Sequence, residues 1–341
     1  MRSVILKGVK KLEVGEIAEP VKDGENVLID VKKSGICGSD IHNWDLGAPE
    51  GLVLGHEFAG VVTDPGFRAD LKVGDRVTAL PISPCGTCPA CVKGNPQYCR
   101  ETWSKAVGLS LENIGGLAPK LKVRPDMVLK LPDTVSDDEG AMVEPTAVGL
   151  HAVHLADIKI GDKVLVIGAG VIGLLSAMFA KKEGASLVAV SETNMNRAKR
   201  AIELEVADKY YDAKNPEMMN EVMSDTMGGF DVVIECCGND AAVTSAIMAT
   251  RPGGTIVLVG VATGAITIPT VVGVMSELTI KGAIAYTKEE FSTCIDLIAN
   301  KQIDVMKFVD DIVGLDEVQA SYERLTSGSD PAIKILVDPN K

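Results

Sequence analysis

Lys163-Val-Leu-Val-Ile-Gly-Ala-Gly-Val-Ile-Gly173, running on to Leu187-Val-Ala-Val-Ser-Glu192, decides the fold. Lys163 to Ile167 is a short β-branched run of the kind that forms a strand buried on both faces. Gly168, Gly170 and Gly173 follow at once in the G-x-G-x-x-G spacing. Leu174 to Lys182 then reads as a helix closed by Gly184, and Leu187 to Val190 as a second buried strand. Strand, glycine turn, helix and strand together supply the context that a lone glycine motif lacks. The first glycine permits a tight turn, the second admits a pyrophosphate, and the third lets helix and strand pack closely. Gly168, Gly170, Val171, Ile172 and Gly173 are therefore expected to hold a dinucleotide at a helix N-terminus. Glu192 stands nineteen residues past Gly173. A carboxylate there accepts ribose hydroxyls and repels a 2′-phosphate, which favours NAD over NADP. Arg197, one helical turn on, is expected to cover the adenine.

Outward from this stretch the two halves of the chain differ. From about residue 146 the pattern alternates: strand 164–167, helix 171–183, strand 187–190, helices 194–205 and 216–227, strand 231–235, helix 239–249, strand 255–259. That rhythm predicts a doubly wound parallel sheet of the Rossmann type. Residues 1 to about 145 have short strands, such as Val27 to Val31 and Gly60 to Thr63, separated by Gly, Pro and Asp turns. They predict a mostly antiparallel, partly barrel-like domain. After Gly282 come a helix, about Lys288 to Ala299, and a strand-like Ala332 to Val337; this tail is expected to pack back on the first domain. The resulting division is 1–145 with 288–341, and 146–287.

The length of 341 residues accommodates two such cores. A net charge of −13 argues against nucleic acid or an anionic membrane as the main partner. No signal peptide or membrane-length apolar run is read, so a cytoplasmic location is expected. In a reducing compartment, the eight cysteines point to metal ligands or nucleophiles before disulfides.

Cys85, Cys88, Cys91 and Cys99 give C-x2-C-x2-C-x7-C in a Gly/Pro-rich loop. Local spacing lets four thiolates close a tetrahedron around Zn2+, which favours a structural zinc over an iron-sulfur cluster. Cys37, His56, Glu57 and Glu144 form a dispersed second set. A reactive zinc takes three mixed ligands and keeps one position open.

Cys37-Gly-Ser-Asp-Ile-His42, Gly55-His-Glu-Phe-Ala-Gly60, the four-cysteine lobe, Gly74-Asp-Arg-Val77, Glu144-Pro145 and the glycine fingerprint occur in one order. Nearly the whole chain thereby resembles the zinc-dependent medium-chain alcohol dehydrogenases, most of all their polyol branch of sorbitol, galactitol-phosphate, butanediol and threonine dehydrogenases. The resemblance implies a GroES-like catalytic domain beside the Rossmann domain, two zinc ions per chain, and oxidation of a secondary alcohol on a polyol, vicinal diol or sugar-derived substrate. It implies that Cys37, His56 and either Glu57 or Glu144 hold the reactive zinc. Ser39 resembles the family's hydroxyl relay, and His42 could pass the proton to solvent. Cofactor contacts are implied at Cys237, Val259, Gly260, Val261, Ile284 and Ala285. A homodimer or homotetramer is expected, built through the apolar segment Ala265 to Lys281. Cys236, Cys237 and Cys294 lack metal spacing and are read as packing residues, His151 and His154 as structural.

The resemblance is incomplete around the substrate. Ile82 stands where threonine dehydrogenases carry a histidine, and Ala285 where sorbitol-type enzymes place an arginine beside a tyrosine, here Tyr286. Pro119 ends Gly115-Gly-Leu-Ala-Pro119, where relatives have an acid, and the Cys37-to-His56 loop is short. The alternatives are an amino-alcohol dehydrogenase and, more remotely, a non-catalytic NAD-binding zinc protein.

Overall fold

The computed structural model describes residues 1–262 and 264–341. It contains two compact units: Met1–Ala147 with Tyr286–Ser327 and Lys334–Lys341, and Val148–Ala285 with Gly328–Ile333. The sequence reading put the joints at 145/146 and 287/288 and gave the whole tail to the first domain; here Gly328–Ile333 belongs with the second unit.

The second unit is built on six parallel strands, in the spatial order Lys209–Asp212, Leu187–Glu192, Lys163–Ile167, Phe230–Glu235, Thr250–Leu258, Thr279–Gly282. Chain order therefore runs outward one way from Lys163–Ile167, returns to the middle, and runs outward the other way. A switch point results between Lys163–Ile167 and Phe230–Glu235, and ligands sit outside the carboxyl ends of strands at such points. The β-branched runs are there because both faces are covered: Val164, Leu165, Val166, Val188, Ala189 and Val190 have no exposed surface. The helix after the fingerprint spans Val171–Lys182, within one residue of the expected 171–183, and buries every residue from Gly173 to Ala180. Leu187–Glu192 is two residues longer than expected, so Glu192 is the last residue of the strand itself.

Two elements of this unit escape the sequence reading. Lys209–Asp212 is a short, polar edge strand, paired in parallel with Leu187–Glu192. Thr270–Met275 is a helix with no buried residue, in a segment read for its edge-strand character. Only Thr279–Gly282, just beyond that helix, is the edge strand.

In the first unit a hairpin, Arg2–Gly8 with Lys11–Glu16, accompanies a seven-stranded sheet. That sheet is antiparallel throughout except where Asp311–Val313 pairs with Ile335–Val337. Its centre is Val27–Gly35 against Glu57–Asp64, in a register that sets Gly35 opposite Glu57. The C-terminal strand Ile335–Val337 lies along the same end of Val27–Gly35, with Leu336 opposite Gly35. Three distant pieces of sequence thus finish at one place, and the helix Gly38–Leu46 starts there. Gly115 to Pro119 is a turn-rich segment bonded through Gly115, Leu117 and Pro119 to Val53, Leu54 and Val31, so Pro119 serves as an acceptor and its missing N–H costs nothing.

Candidate active site and metal centres

Cys37 caps the N-terminus of Gly38–Leu46, its N–H donating to Asp40 Oδ2 at 3.1 Å. His56 and Glu57 enter Glu57–Asp64 directly opposite. Ligand atoms of Cys37, His56 and Glu57 all lie within 4.8 Å of one another, and both His56 and Glu57 are buried. Adjacent residues on a strand normally point to opposite faces; here His56 precedes the strand, and the chain brings both inward. Ser39 Oγ stands 3.4 Å from Cys37 Sγ and 3.4 Å from His56 Nε2. A hydroxyl on the same side as two ligand atoms is placed to exchange a proton with whatever they hold.

Each donor is braced from behind. Asp40 Oδ1 is 3.2 Å from His56 Nδ1, which leaves Nε2 as the ligating nitrogen. Burial disfavours charge on His56, but the negative charge of Asp40 and Cys37 outweighs it and raises its pKa well above the ordinary value. Glu57 Oε2 is paired with Lys334 Nζ, which also donates to Ile36 O at 2.9 Å. Lys334 has no exposed surface. Gly35 makes room for this pair: a Cβ there would fall 2.0 Å from Glu57 Oε2. Among the described residues Glu57 Oε1 has no hydrogen-bond partner, and a cation would satisfy it.

Glu144 is not in that three-residue group but stands nearby on the helix Val143–Ala156. Tyr286 donates to its Oε1 at 2.8 Å. Burial pushes the Glu144 carboxyl up to about 7, with His56 opposing and Glu57 reinforcing the shift. The donor set of one half-buried thiol with a buried imidazole and carboxylate, one carboxylate oxygen idle, fits a zinc ion that keeps a position open.

The second cluster is entirely local. Ligand atoms of Cys85, Cys88, Cys91 and Cys99 also lie within 4.8 Å of one another. Cys99 Sγ accepts from Cys85 N at 3.4 Å, and Cys85 Sγ from Cys88 N at 3.3 Å. Backbone N–H groups of Thr87 and Cys88 hold the Cys85 thiol down to about 6, while burial pushes Cys91 up to about 12. All eight cysteines are free.

At the fingerprint, Gly168 has φ +101°, and a Cβ on Gly173 would lie 1.9 Å from Gly168 O. Among the described residues nothing lies within 4 Å of a Cβ built on Gly170, so the second glycine leaves room for an approaching pyrophosphate. Glu192 Oε2 accepts from Ala169 N at 2.7 Å and its Oε1 from the N–H groups of Thr193 and Asn194, which fixes the carboxylate over the glycine turn.

Residues 23–133 match the family model of the alcohol dehydrogenase GroES-like domain, and residues 171–300 that of the zinc-binding dehydrogenases. Over 348 residues the chain is 33% identical to "Probable D-xylulose reductase A" of Aspergillus clavatus, covering 98% of this chain and 96% of that protein. The chain belongs to the zinc-dependent medium-chain alcohol dehydrogenases. Its likeness to solved members extends end to end. The 2R,3R-butanediol dehydrogenase of Bacillus subtilis is 31% identical with a TM-score of 0.87, over 99% of both chains. A Sinorhizobium meliloti protein assigned as a zinc-binding dehydrogenase and bound to NADP is 30% identical, also at 0.87 over 99% of both.

Within this polyol-branch member, the structure gathers Cys37, Ser39, His56 and Glu57, with Glu144 alongside. His42 lies half-buried one turn beyond Ser39 on the same helix. In the sheet unit Cys237, Val259, Gly260 and Val261 follow the carboxyl ends of their strands, and Ile284 and Ala285 follow Thr279–Gly282, with Ala285 at φ +51°. Arg197 is half-buried on Met195–Glu203. Cys294 is buried, as a packing thiol should be, whereas Cys237 is exposed. Sequence reasoning missed Asp40, Lys334 and Tyr286 as the residues behind the ligands. A signal existed for one of them: Lys334 is a lone charge inside the apolar run Ala332-Ile-Lys-Ile-Leu-Val337.

Proposed function

We propose that this protein is an NAD-dependent zinc polyol dehydrogenase, interconverting a secondary hydroxyl of a polyol, vicinal diol or sugar-derived alcohol with the corresponding ketone. The observation that carries the reading is the mixed-donor group of half-buried Cys37 with buried His56 and Glu57, in the same chain as an intact dinucleotide fingerprint. Cys37, His56 and one of Glu57 or Glu144 would hold the zinc. Zinc supplies a Lewis acid that acidifies an alcohol, and NAD supplies the hydride acceptor.

The chain's own residues do the rest. Asp40 keeps His56 in the tautomer that offers Nε2. Ser39 Oγ receives the substrate proton beside Cys37 and His56, and His42, three residues on and on the same helical face, releases it to solvent. Lys334 balances the buried Glu57, and Tyr286 holds Glu144 in one orientation. Glu192, already collecting backbone donors at the fingerprint turn, supports NAD over NADP, in contrast to the NADP-bound S. meliloti relative.

The names of the relatives, a D-xylulose reductase and a 2R,3R-butanediol dehydrogenase, support a hydroxyl flanked by another oxygen. Ile82 and Ala285 speak against an amino alcohol and against the arginine contact of sorbitol-type enzymes. Self-association is read from the exposed Val271, Val274 and Met275 of Thr270–Met275 and the open edge of Thr279–Gly282, which a second copy would cover. Free thiols throughout are consistent with a reducing cytoplasm.

The test is an absorbance screen of NAD and NADP reduction by zinc-loaded protein across diols, polyols, their phosphates and amino alcohols. Turnover with a polyol or diol and NAD is expected. Silence across the whole panel would sink the reading, and turnover confined to amino alcohols would replace its substrate class.

A further inference from the structure

We infer that Glu235 is a positioning residue for the nicotinamide cofactor, its buried carboxylate fixing the loops against which NAD lies; the inference rests on the NAD reading above. Glu235 ends the central strand Phe230–Glu235 and has no exposed surface. Its main-chain carbonyl accepts from Val259 N at 2.8 Å and Gly260 N at 3.0 Å. Its side-chain Oε1 accepts from Cys237 N at 2.6 Å and Gly238 N at 2.8 Å. One residue therefore ties down both the loop after its own strand and the loop after the neighbouring one.

Those loops meet backbone to backbone. A Cβ on Gly260 would lie 2.1 Å from Gly238 N, and one on Gly238 would lie 2.7 Å from Val261 C. The fingerprint turn joins them: Cys237 Sγ is 3.5 Å from Ile167 O, and a Cβ on Gly168 would meet that sulfur at 2.7 Å. All three loops stand at the carboxyl ends of parallel strands around the switch point, where a dinucleotide binds. Contacts this close leave no slack, so the height of the Cys237–Gly238 turn sets the surface offered to the cofactor.

The carboxylate is costly where it is. Glu235 Oε2 has no hydrogen-bond partner among the described residues, and an idle buried oxygen weakens a fold that an apolar side chain at a strand end would strengthen. Holding Cys237 N and Gly238 N accounts for the acid. Removing it frees both N–H groups and lets the turn rise toward the cofactor. Aspartate, one methylene shorter, cannot reach both. Glutamine keeps the accepting oxygen in place.

The experiment is calorimetric titration of NADH into the parent, Glu235→Ala, Glu235→Asp and Glu235→Gln proteins, with steady-state kinetics on each. Ala and Asp are expected to weaken NADH binding by about tenfold or more, with Gln within about threefold of the parent. Because the role is positioning of the cofactor, KM for NAD is expected to rise in step with the NADH dissociation constant in the Ala and Asp proteins and to stay near the parent's in Gln. NADH affinity unchanged in the Asp or Ala protein, or Gln as weak as Ala, would overturn the inference. Should Ala fail to fold, the contrast of Asp with Gln decides. A parent that bound no NADH would overturn the cofactor reading itself, and this inference with it.

Discussion

The two metal-ligating clusters of the first unit are made of similar donors by opposite means. Cys85, Cys88, Cys91 and Cys99 fall within fifteen residues, and one loop folds them onto a point using its own backbone N–H groups. Cys37, His56 and Glu57 come from a helix cap and a strand start, and Glu57 is anchored by a lysine 277 residues away. The thiol set is suited to a closed site: four identical donors would fill a tetrahedron around a zinc and leave nothing for a substrate. The mixed set would leave a position open, and two of its three donors have dedicated partners, Asp40 behind His56 and Lys334 behind Glu57. A staple can be written locally. A reactive centre has to be assembled by sheet register, because only separate elements can supply both the donor and the group that aims it.

This contrast can be broken at either end. The largest effect is expected from Cys88→Ser, which opens the closed set. Structural zinc contributes its binding free energy to folding, so zinc content should drop by one ion per chain and the melting temperature by about 10 °C or more, with activity per folded molecule retained. Calorimetry beside metal analysis checks it. Activity falling far more than stability would make the thiol set more than a staple.

Lys334→Ala comes next. It leaves Glu57 charged and buried with no counterion, which costs about 3–5 kcal/mol. Urea unfolding should show that loss, and a change below about 1 kcal/mol would mean Glu57 needs no partner there. Asp40→Asn is milder. It keeps the shape but offers His56 Nδ1 a weaker acceptor, and loss of such a partner lowers metal affinity or activity by about 10- to 100-fold. Zinc affinity by competition with a chromophoric chelator measures it, and an unchanged value would remove Asp40 from the site.

The smallest effect serves as a control from the other unit. Burial raises the Glu235 carboxyl above the usual range, so its folded-state pKa lies above its unfolded one. The native state then binds more protons than the unfolded state, and Glu235 withdraws stability as pH rises above about 4.3. Glu235→Gln should gain on the parent by a few degrees of melting temperature between about pH 4 and pH 7. A gap that closes as pH rises would reverse the sign of this argument.

The same locality explains what the sequence made legible. The fingerprint announces itself because strand, glycines, helix and acid are contiguous, and the thiol lobe because its spacing is short. Cys37 and His56 could be singled out, but not the residues behind them. Lys334 reaches Glu57 only because Ile335–Val337 pairs beside Gly35, a register that no local pattern encodes. Tyr286 was visible as a tyrosine and not as the donor to Glu144. Lys209–Asp212 was missed because its sequence is polar, as befits an edge, and Thr270–Met275 because its valine-rich run has the β-branched character of a strand. The choice between Glu57 and Glu144 stayed open because it turns on side-chain partners: one is held by a lysine, the other by a tyrosine.

The account turns on the open set being the seat of chemistry. Its most direct test is the rate of NAD reduction by a polyol substrate in zinc-loaded Cys37→Ala protein beside the zinc-loaded parent. A loss of about three orders of magnitude is predicted, with one zinc retained and the melting temperature within a few degrees of the parent's. A variant that turned over at the parental rate would contradict it.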